Sequence, residues 1–357
     1  MIYLDYQATT PLAPEAREAM LPWLAGPESE AFANPHSPHK SGRRAAAAIE
    51  IARENVAALF PPGGRVVFTA SATEALNLAI IGSAARTFAV SAIEHAAVLE
   101  TARYQADSFE ILPVDGEGLV DPDAPIPPGT DLVAVMQVNN EIGTIQSVSE
   151  IAARAHAAGA LFLCDAVQAG GKLQPPENAD LIALSAHKLH GPKGIGALWI
   201  REGIKLNPLI HGGGQEGGLR SGTLSPSLCA GFGVAASLAL ARQAQDAVHV
   251  EALWNAARAA LPNFTLNGSA AHRWHGNLNL RSQGLDVSRL MSELRNIAFS
   301  AGSACASGSG KPSHVLKAIG LSENQARSSI RLGFGRYTRM SEVVEACALI
   351  AAAAADQ

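Results

Sequence analysis

Charge is scarce in this chain: only 17% of its 357 residues are Asp, Glu, Lys or Arg, and the net charge is −5. No basic stripe is available to neutralise a run of phosphates, so nucleic acid is not an expected partner, and no block of like charge marks a solvated tail. Long apolar runs are missing too. The longest, Leu228 to Ala241, is too short to span a bilayer and is rich in Gly and Ala, so it reads as a buried helix and no membrane partner is expected. Met1 to Tyr6 has neither a basic n-region nor an apolar h-region, and no secretory leader is expected. Cysteine is nearly absent. Cys164, Cys229, Cys305 and Cys347 form no close pair and no metal-ligand spacing. A disulfide framework and a zinc site are thereby excluded, no metal is expected, and the default is a reduced, cytoplasmic protein.

What is present is apolar sequence in an ordered rhythm. With 48% hydrophobic residues the chain can bury a large core and divide into a larger and a smaller unit. Ser41 is placed to cap an Ala-rich helix reaching Leu59, where Pro61-Pro62-Gly63-Gly64 stops it. Strand-like segments follow at Val66–Thr69, Thr87–Ser91, Val133–Val138, Leu161–Cys164, Asp180–Leu184 and Ala197–Ile200. Helical spacing lies between them at Thr73–Ile81, Ala97–Asp107 and Val148–Ala158. Such alternation predicts an α/β fold with a mostly parallel sheet covered by helices on both faces. A helix ending near Gln243 is expected to be followed by a separate one over Val248–Ala260, and then by short strands and helices typical of a small α+β domain. The expected division is 14–245 for the large domain, and 1–13 with 246–357 for the small one.

The chemistry concentrates where strands end, which is where ligands bind in open α/β sheets. Lys188, in Ser185-Ala186-His187-Lys188, follows a buried strand, and an ammonium there is costly unless something uses it. A lysine of that kind suits imine formation. Ser71-Ala72-Thr73-Glu74 stands at a helix N-terminus, where free N–H groups and the dipole favour an anion. His95 and Asn140 follow two further strands. Asp165 is a carboxylate placed directly after a buried strand, a position that calls for a cationic partner such as a protonated pyridine nitrogen.

Taken in order, these stretches resemble the cysteine desulfurases related to NifS and IscS, within the class V aminotransferase-like, fold type I pyridoxal phosphate enzymes. The resemblance rests on Leu4–Thr10, Asn34-Pro35-His36-Ser37, Ile93-Glu94-His95, Asn139–Gly143, Ser185–Lys188, His211–Glu216, Arg220–Thr223, Gly302–Cys305, Ser329-Ile330-Arg331 and Gly335-Arg336. It implies pyridoxal 5′-phosphate as cofactor and L-cysteine as substrate. Lys188 is the implied Schiff-base residue, Asp165 the partner of the pyridine nitrogen, His95 the group stacked on the ring and Gln168 the residue bonded to the phenolic oxygen. Ala72, Thr73, Ser185 and His187 are implied at the phosphate, with Thr223 reaching in from a second subunit of a homodimer. Asn140 and Arg331 are implied at the substrate carboxylate, with Asn34 assisting. Cys305, in a Gly/Ser-rich stretch, is the implied nucleophile that takes sulfur as a persulfide. Delivery to an acceptor, such as an iron–sulfur scaffold or a thiolation system, would follow. A selenocysteine lyase, another C–S lyase or aminotransferase of the same fold, and a non-catalytic sulfur-transfer scaffold are the alternatives. Three departures from the family pattern stand out: Ser71 where Gly is usual, Gly217 where Arg is usual, and no long extension after the last Ala-rich helix.

Overall fold

Seven β-rich runs assemble into one sheet whose inner strands are apolar on both faces and must be covered on both. The computed structural model describes residues 1–302 and 313–357. A short β1 (Ile2–Tyr3) opens the chain, and the sheet is then built from β2 (Gly64–Thr69), β3 (Thr87–Ser91), β4 (Ser108–Leu112), β5 (Leu132–Ala134), β6 (Leu161–Asp165), β7 (Leu181–Ser185) and β8 (Gly196–Arg201). Their order is β2-β8-β7-β6-β5-β3-β4. Pairs from β7 through β4 are parallel, while β8 runs antiparallel to both of its neighbours. Since β2 and β7 both oppose β8, they run the same way, and six of the seven strands end at one edge. The α/β expectation with a mostly parallel sheet therefore holds.

Helices cover the two faces, and the period-2 alternation of each strand decides which residue meets which helix. Phe68, Val133, Phe162, Ile182 and Trp199 pack on one side with Ile49, Val56 and Phe232. These last three come from α2 (Lys40–Ala57) and α6 (Pro226–Ala260), which follow α1 (Pro14–Met20) in the same layer. Val67, Leu163, Leu181 and Leu198 pack on the other side, against Leu76, Ile80 and Leu99 of α3 (Ala72–Gly82) and α4 (Ala96–Gln105). A further cluster joins Leu4 and Leu253 to Leu278, Leu332, Val343 and Ile350. It lies on a four-stranded antiparallel sheet, β12-β13-β10-β9, built from β9 (Thr265–Leu266), β10 (Asn277–Arg281), β12 (Ser300–Ala301) and β13 (Ser329–Gly333). The N-terminal arm reaches this sheet: β1 pairs in parallel with β11 (Ile297–Ala298), and Asp5 bridges to Gly333.

Several local expectations are corrected. The helix over Pro226–Ala260 is continuous for 35 residues, with no break at Gln243. The polar stretch there holds Gln, Ala and Asp but no Gly or Pro, and Asp246 is used by Arg336, whose Nη2 lies 2.7 Å from it. The cap of α2 is His39, whose Nδ1 accepts from Gly42 N at 3.2 Å, and Ser41 lies inside the helix. Edge strand β4 has mixed polarity and carries no alternation signal of its own; it forms by parallel pairing with β3. The segment expected to be extended to Val138 is regular strand only to Ala134, although Val135 N and Gln137 N still donate to Leu163 O and Asp165 O of β6 at 3.2 and 3.0 Å.

Candidate active site

A cleft of about 290 Å³ opens beyond the carboxyl ends of β2, β5, β6 and β7. Ala72, Thr73, His95, Asn140, Asp165, Gln168, Ser185, His187, Lys188 and Arg331 line it together, joined by Gln7, Ala8, Ser71 and Met136. Ten of the thirteen candidate residues thus meet in one place. Asn34 and Thr223 are exposed and do not line the cleft, and Cys305 lies outside the described residues.

At one end is the N-terminus of α3. Ser71 has extended backbone (φ −168°) and its side chain accepts from Glu74 N at 3.2 Å, so a left-handed glycine is not required at this cap. The geometry of a helix start leaves the N–H groups of Ala72 and Thr73 without intrahelical acceptors. Gly196 lets β8 approach this turn: a Cβ there would sit 2.6 Å from the Ser71 carbonyl carbon and 2.8 Å from Ala72 N. Ser185, buried at the end of β7, adds a hydroxyl. His187 holds its Nδ1 3.1 Å from Thr9 Oγ1, while its backbone carbonyl accepts from both the N–H and the hydroxyl of Thr10 at 2.9 Å. Burial, with Lys188 and Lys193 adding repulsion, pushes the His187 imidazole down to about 4. This end is therefore a neutral, dipolar anion cradle.

In the middle, Lys188 Nζ donates to Gln7 O and, at 2.8 Å, to Ala8 O. Both carbonyls belong to the N-terminal arm. Asp165 accepts from Val167 N at 2.9 Å, and burial raises its pKa against the lowering influence of His95 and Lys188. A cationic ring nitrogen beside it would favour its ionised form. His95 caps α4, its Nδ1 accepting from Ala97 N at 3.1 Å, which leaves the proton of the neutral ring on Nε2. Gln168 donates from Nε2 to Gln7 O at 3.0 Å, and its Oε1 is buried without a partner among the described residues. Next to His95 in sequence, the buried Glu94 accepts from Ser91 Oγ at 2.6 Å and Met136 N at 2.7 Å, and burial raises its pKa to about 8.

At the far end stands Arg331, fully buried on β13. Its Nη2 donates to Asp5 Oδ1 at 2.7 Å, its Nη1 donates to Asn140 O at 3.0 Å, and its Nε has no partner among the described residues. Asn139 fixes the adjoining turn by accepting from Glu141 N at 2.8 Å and Ile142 N at 2.9 Å. Sequence reasoning assigned no role to Asp5, Gln7 or Ala8. The signal was there in the Leu4–Thr10 stretch, but neither backbone carbonyls nor a distant ion-pair partner can be read from residue types.

Comparison with known proteins follows the geometry. The model of the class-V aminotransferases matches residues 2–345. The cysteine desulfurase IscS of Anaeromyxobacter sp. (strain Fw109-5) is 43% identical over 365 residues, covering 96% of this chain and 89% of that protein. A solved NifS-like protein superposes with a TM-score of 0.91 at 31% identity over all of both chains. A structure described as SspA in complex with cysteine gives 0.77 at 35% identity, over 95% of this chain and 100% of that one. The chain belongs to the class-V aminotransferase family and, within it, to the cysteine desulfurases.

Proposed function

We propose that the cleft holds pyridoxal 5′-phosphate and that the enzyme converts L-cysteine to L-alanine, passing the sulfur to its own Cys305. The observation that carries this is the joint presence in one cleft of Lys188, the buried carboxyl of Asp165 and the unpartnered Nε of Arg331. The residues suit the cofactor: neutral donors at Ala72, Thr73 and Ser185 for a phosphate, Asp165 for a protonated ring nitrogen, and a buried amide oxygen of Gln168 beside the place of a phenolic hydroxyl. When bound, this cofactor supplies a carbonyl for imine chemistry and an electron sink.

The side chains then have distinct tasks. Lys188 would hold the cofactor through its amine, and that amine at Nζ would take up the Cα proton of the substrate. The Gln7 and Ala8 carbonyls give that ammonium a place to rest. Arg331 and Asn140 orient the substrate carboxylate. Cys305, as thiolate, attacks the substrate sulfur; a sulfur–sulfur bond forms as the carbon–sulfur bond breaks, its electron pair leaving toward carbon. The acceptor of that sulfur is a protein such as an iron–sulfur scaffold, and the enzyme acts in the cytoplasm. Among the described residues no helix is long and apolar enough to cross a membrane.

We place Thr223 and Asn34 at the cleft of a second copy in a homodimer, a reading supported by their exposure on the single chain. The division at 14–245 and 1–13 with 246–357 is also ours. The separate apolar cluster around Leu4, Leu253 and Ile350 supports it, with α6 running through both units. The test is direct. L-cysteine is supplied with and without reductant, and alanine, sulfide and protein-bound persulfide are followed in the parent and in Cys305→Ala. Alanine formation that depends on Cys305 is expected; alanine at the parent rate without it, or pyruvate in its place, overturns the persulfide step.

A further inference from the structure

Arg331 is buried completely, and a guanidinium never sheds its charge to escape burial. Something in the protein must balance it. Its resident partner is Asp5, 2.7 Å away, contributed by the N-terminal arm more than three hundred positions earlier in the chain. Asp5 is itself held in place. Ser300 donates to the same Oδ1 at 2.9 Å, the Asp5 backbone bridges to Gly333, and the Tyr3 hydroxyl donates to Asp5 O at 3.2 Å. Asn140 O takes Nη1 at 3.0 Å. The guanidinium is therefore committed along its Nη edge, and Nε is the donor left buried without a partner among the described residues.

We infer that Asp5 is a specificity-determining counter-ion: it competes with the substrate carboxylate for Arg331 and keeps that carboxylate, and the carboxylate of the product, loosely bound. The inference rests on Arg331 being the carboxylate anchor and deepens that reading. Its physical content is charge balance. An Arg331 neutralised by Asp5 meets an incoming carboxylate as one partner of two, so the arriving anion gains one hydrogen-bonded edge while the site takes on net negative charge. Without Asp5 the buried cation would have no carboxylate in contact with it until a ligand arrived, Glu141 acting on it only through space, and α-carboxylates would bind more tightly and leave more slowly. A desulfurase that must expel L-alanine on each turnover gains from the first arrangement.

The experiment uses the holoenzyme and propionate, which has the carboxylate and carbon chain but no amine to engage the cofactor. In Asp5→Asn the shape and one acceptor are kept and the charge is lost. The expected result is a Ki for propionate about tenfold lower, a KM for L-cysteine that falls with it, and a kcat that falls as product release slows. Unchanged or weaker propionate binding in Asp5→Asn overturns the inference. Should that variant fail to fold, the parent itself decides. Propionate should bind less than about tenfold better than propionamide, because the guanidinium is already balanced, whereas a preference above about a hundredfold overturns the inference. Arg331→Ala separates the two claims. If it leaves the propionate Ki and the KM unchanged, the carboxylate-anchor reading fails. If it raises both while Asp5→Asn changes neither, only the role of Asp5 fails.

Discussion

The two ends of the cleft handle negative charge by different means. The α3 end is assembled from backbone N–H groups, a serine hydroxyl and a histidine whose pKa burial has pushed down to about 4, so none of these donors carries a permanent charge. The Arg331 end uses a permanent cation, and that cation requires a permanent anion from another part of the chain. The contrast follows from the cost of burial. Dipoles fixed by a helix terminus are already made by the local fold, while a buried charge must be paired at once or destabilise the protein. One end therefore needs no paired charge and tolerates substitution, and the other depends on a pair and is brittle.

The sharpest break in this picture is Lys188→Ala, which sits between the ends and serves both. Turnover should fall by about 10³-fold or more, with loss of the imine absorbance on adding the cofactor and little change in melting temperature. Arg331→Ala tests the brittle end. It strands Asp5 and should cost about 3–5 kcal/mol of stability along with the carboxylate anchor, read by denaturant unfolding beside KM. Asp165→Asn makes the opposite trade in the middle of the cleft. A neutral amide is easier to bury than the carboxylate, so stability should hold while turnover drops steeply, and a loss of stability equal to that of Arg331→Ala would erase the distinction.

A smaller effect concerns Glu94, whose pKa burial raises to about 8 from an ordinary 4.5. Between those values the folded protein keeps a proton that the unfolded chain has lost, so this residue makes stability decline as pH rises through the window. Glu94→Gln should flatten that decline, and parallel stability–pH curves for parent and variant would show that Glu94 is ionised in the fold. The smallest effect is at the tolerant end. Ser71→Ala removes a cap of α3 and should cost about 1 kcal/mol, with cofactor affinity falling only slightly because the N–H groups of Ala72 and Thr73 remain in place.

Much of the large sheet could be read from residue order because its signals are local. Thr87–Ser91 matches the expected strand residue for residue, since a short β-rich apolar run between polar turns has few other options. The α6 helix shows the limit: a polar stretch looks like a break in one dimension, yet good helix formers carry the helix through and Asp246 finds Arg336 in space. Gln7 and Ala8 show another. Their contribution to the cleft is a pair of backbone carbonyls facing Lys188, and every residue type carries a carbonyl.

By itself the sequence determined the α/β class, the strand-end placement of Lys188, Asp165 and Asn140, and a family membership that the comparisons then showed, because periodicity and short motifs act over neighbouring residues. Tertiary structure alone decided that Asp5 would neutralise Arg331, that the arm would lie over Lys188, and that Asn34 and Thr223 would stay outside the cleft of their own chain. Those outcomes depend on which distant segments pack together, and the requirement that a buried charge meet its partner is satisfied only once the chain has folded.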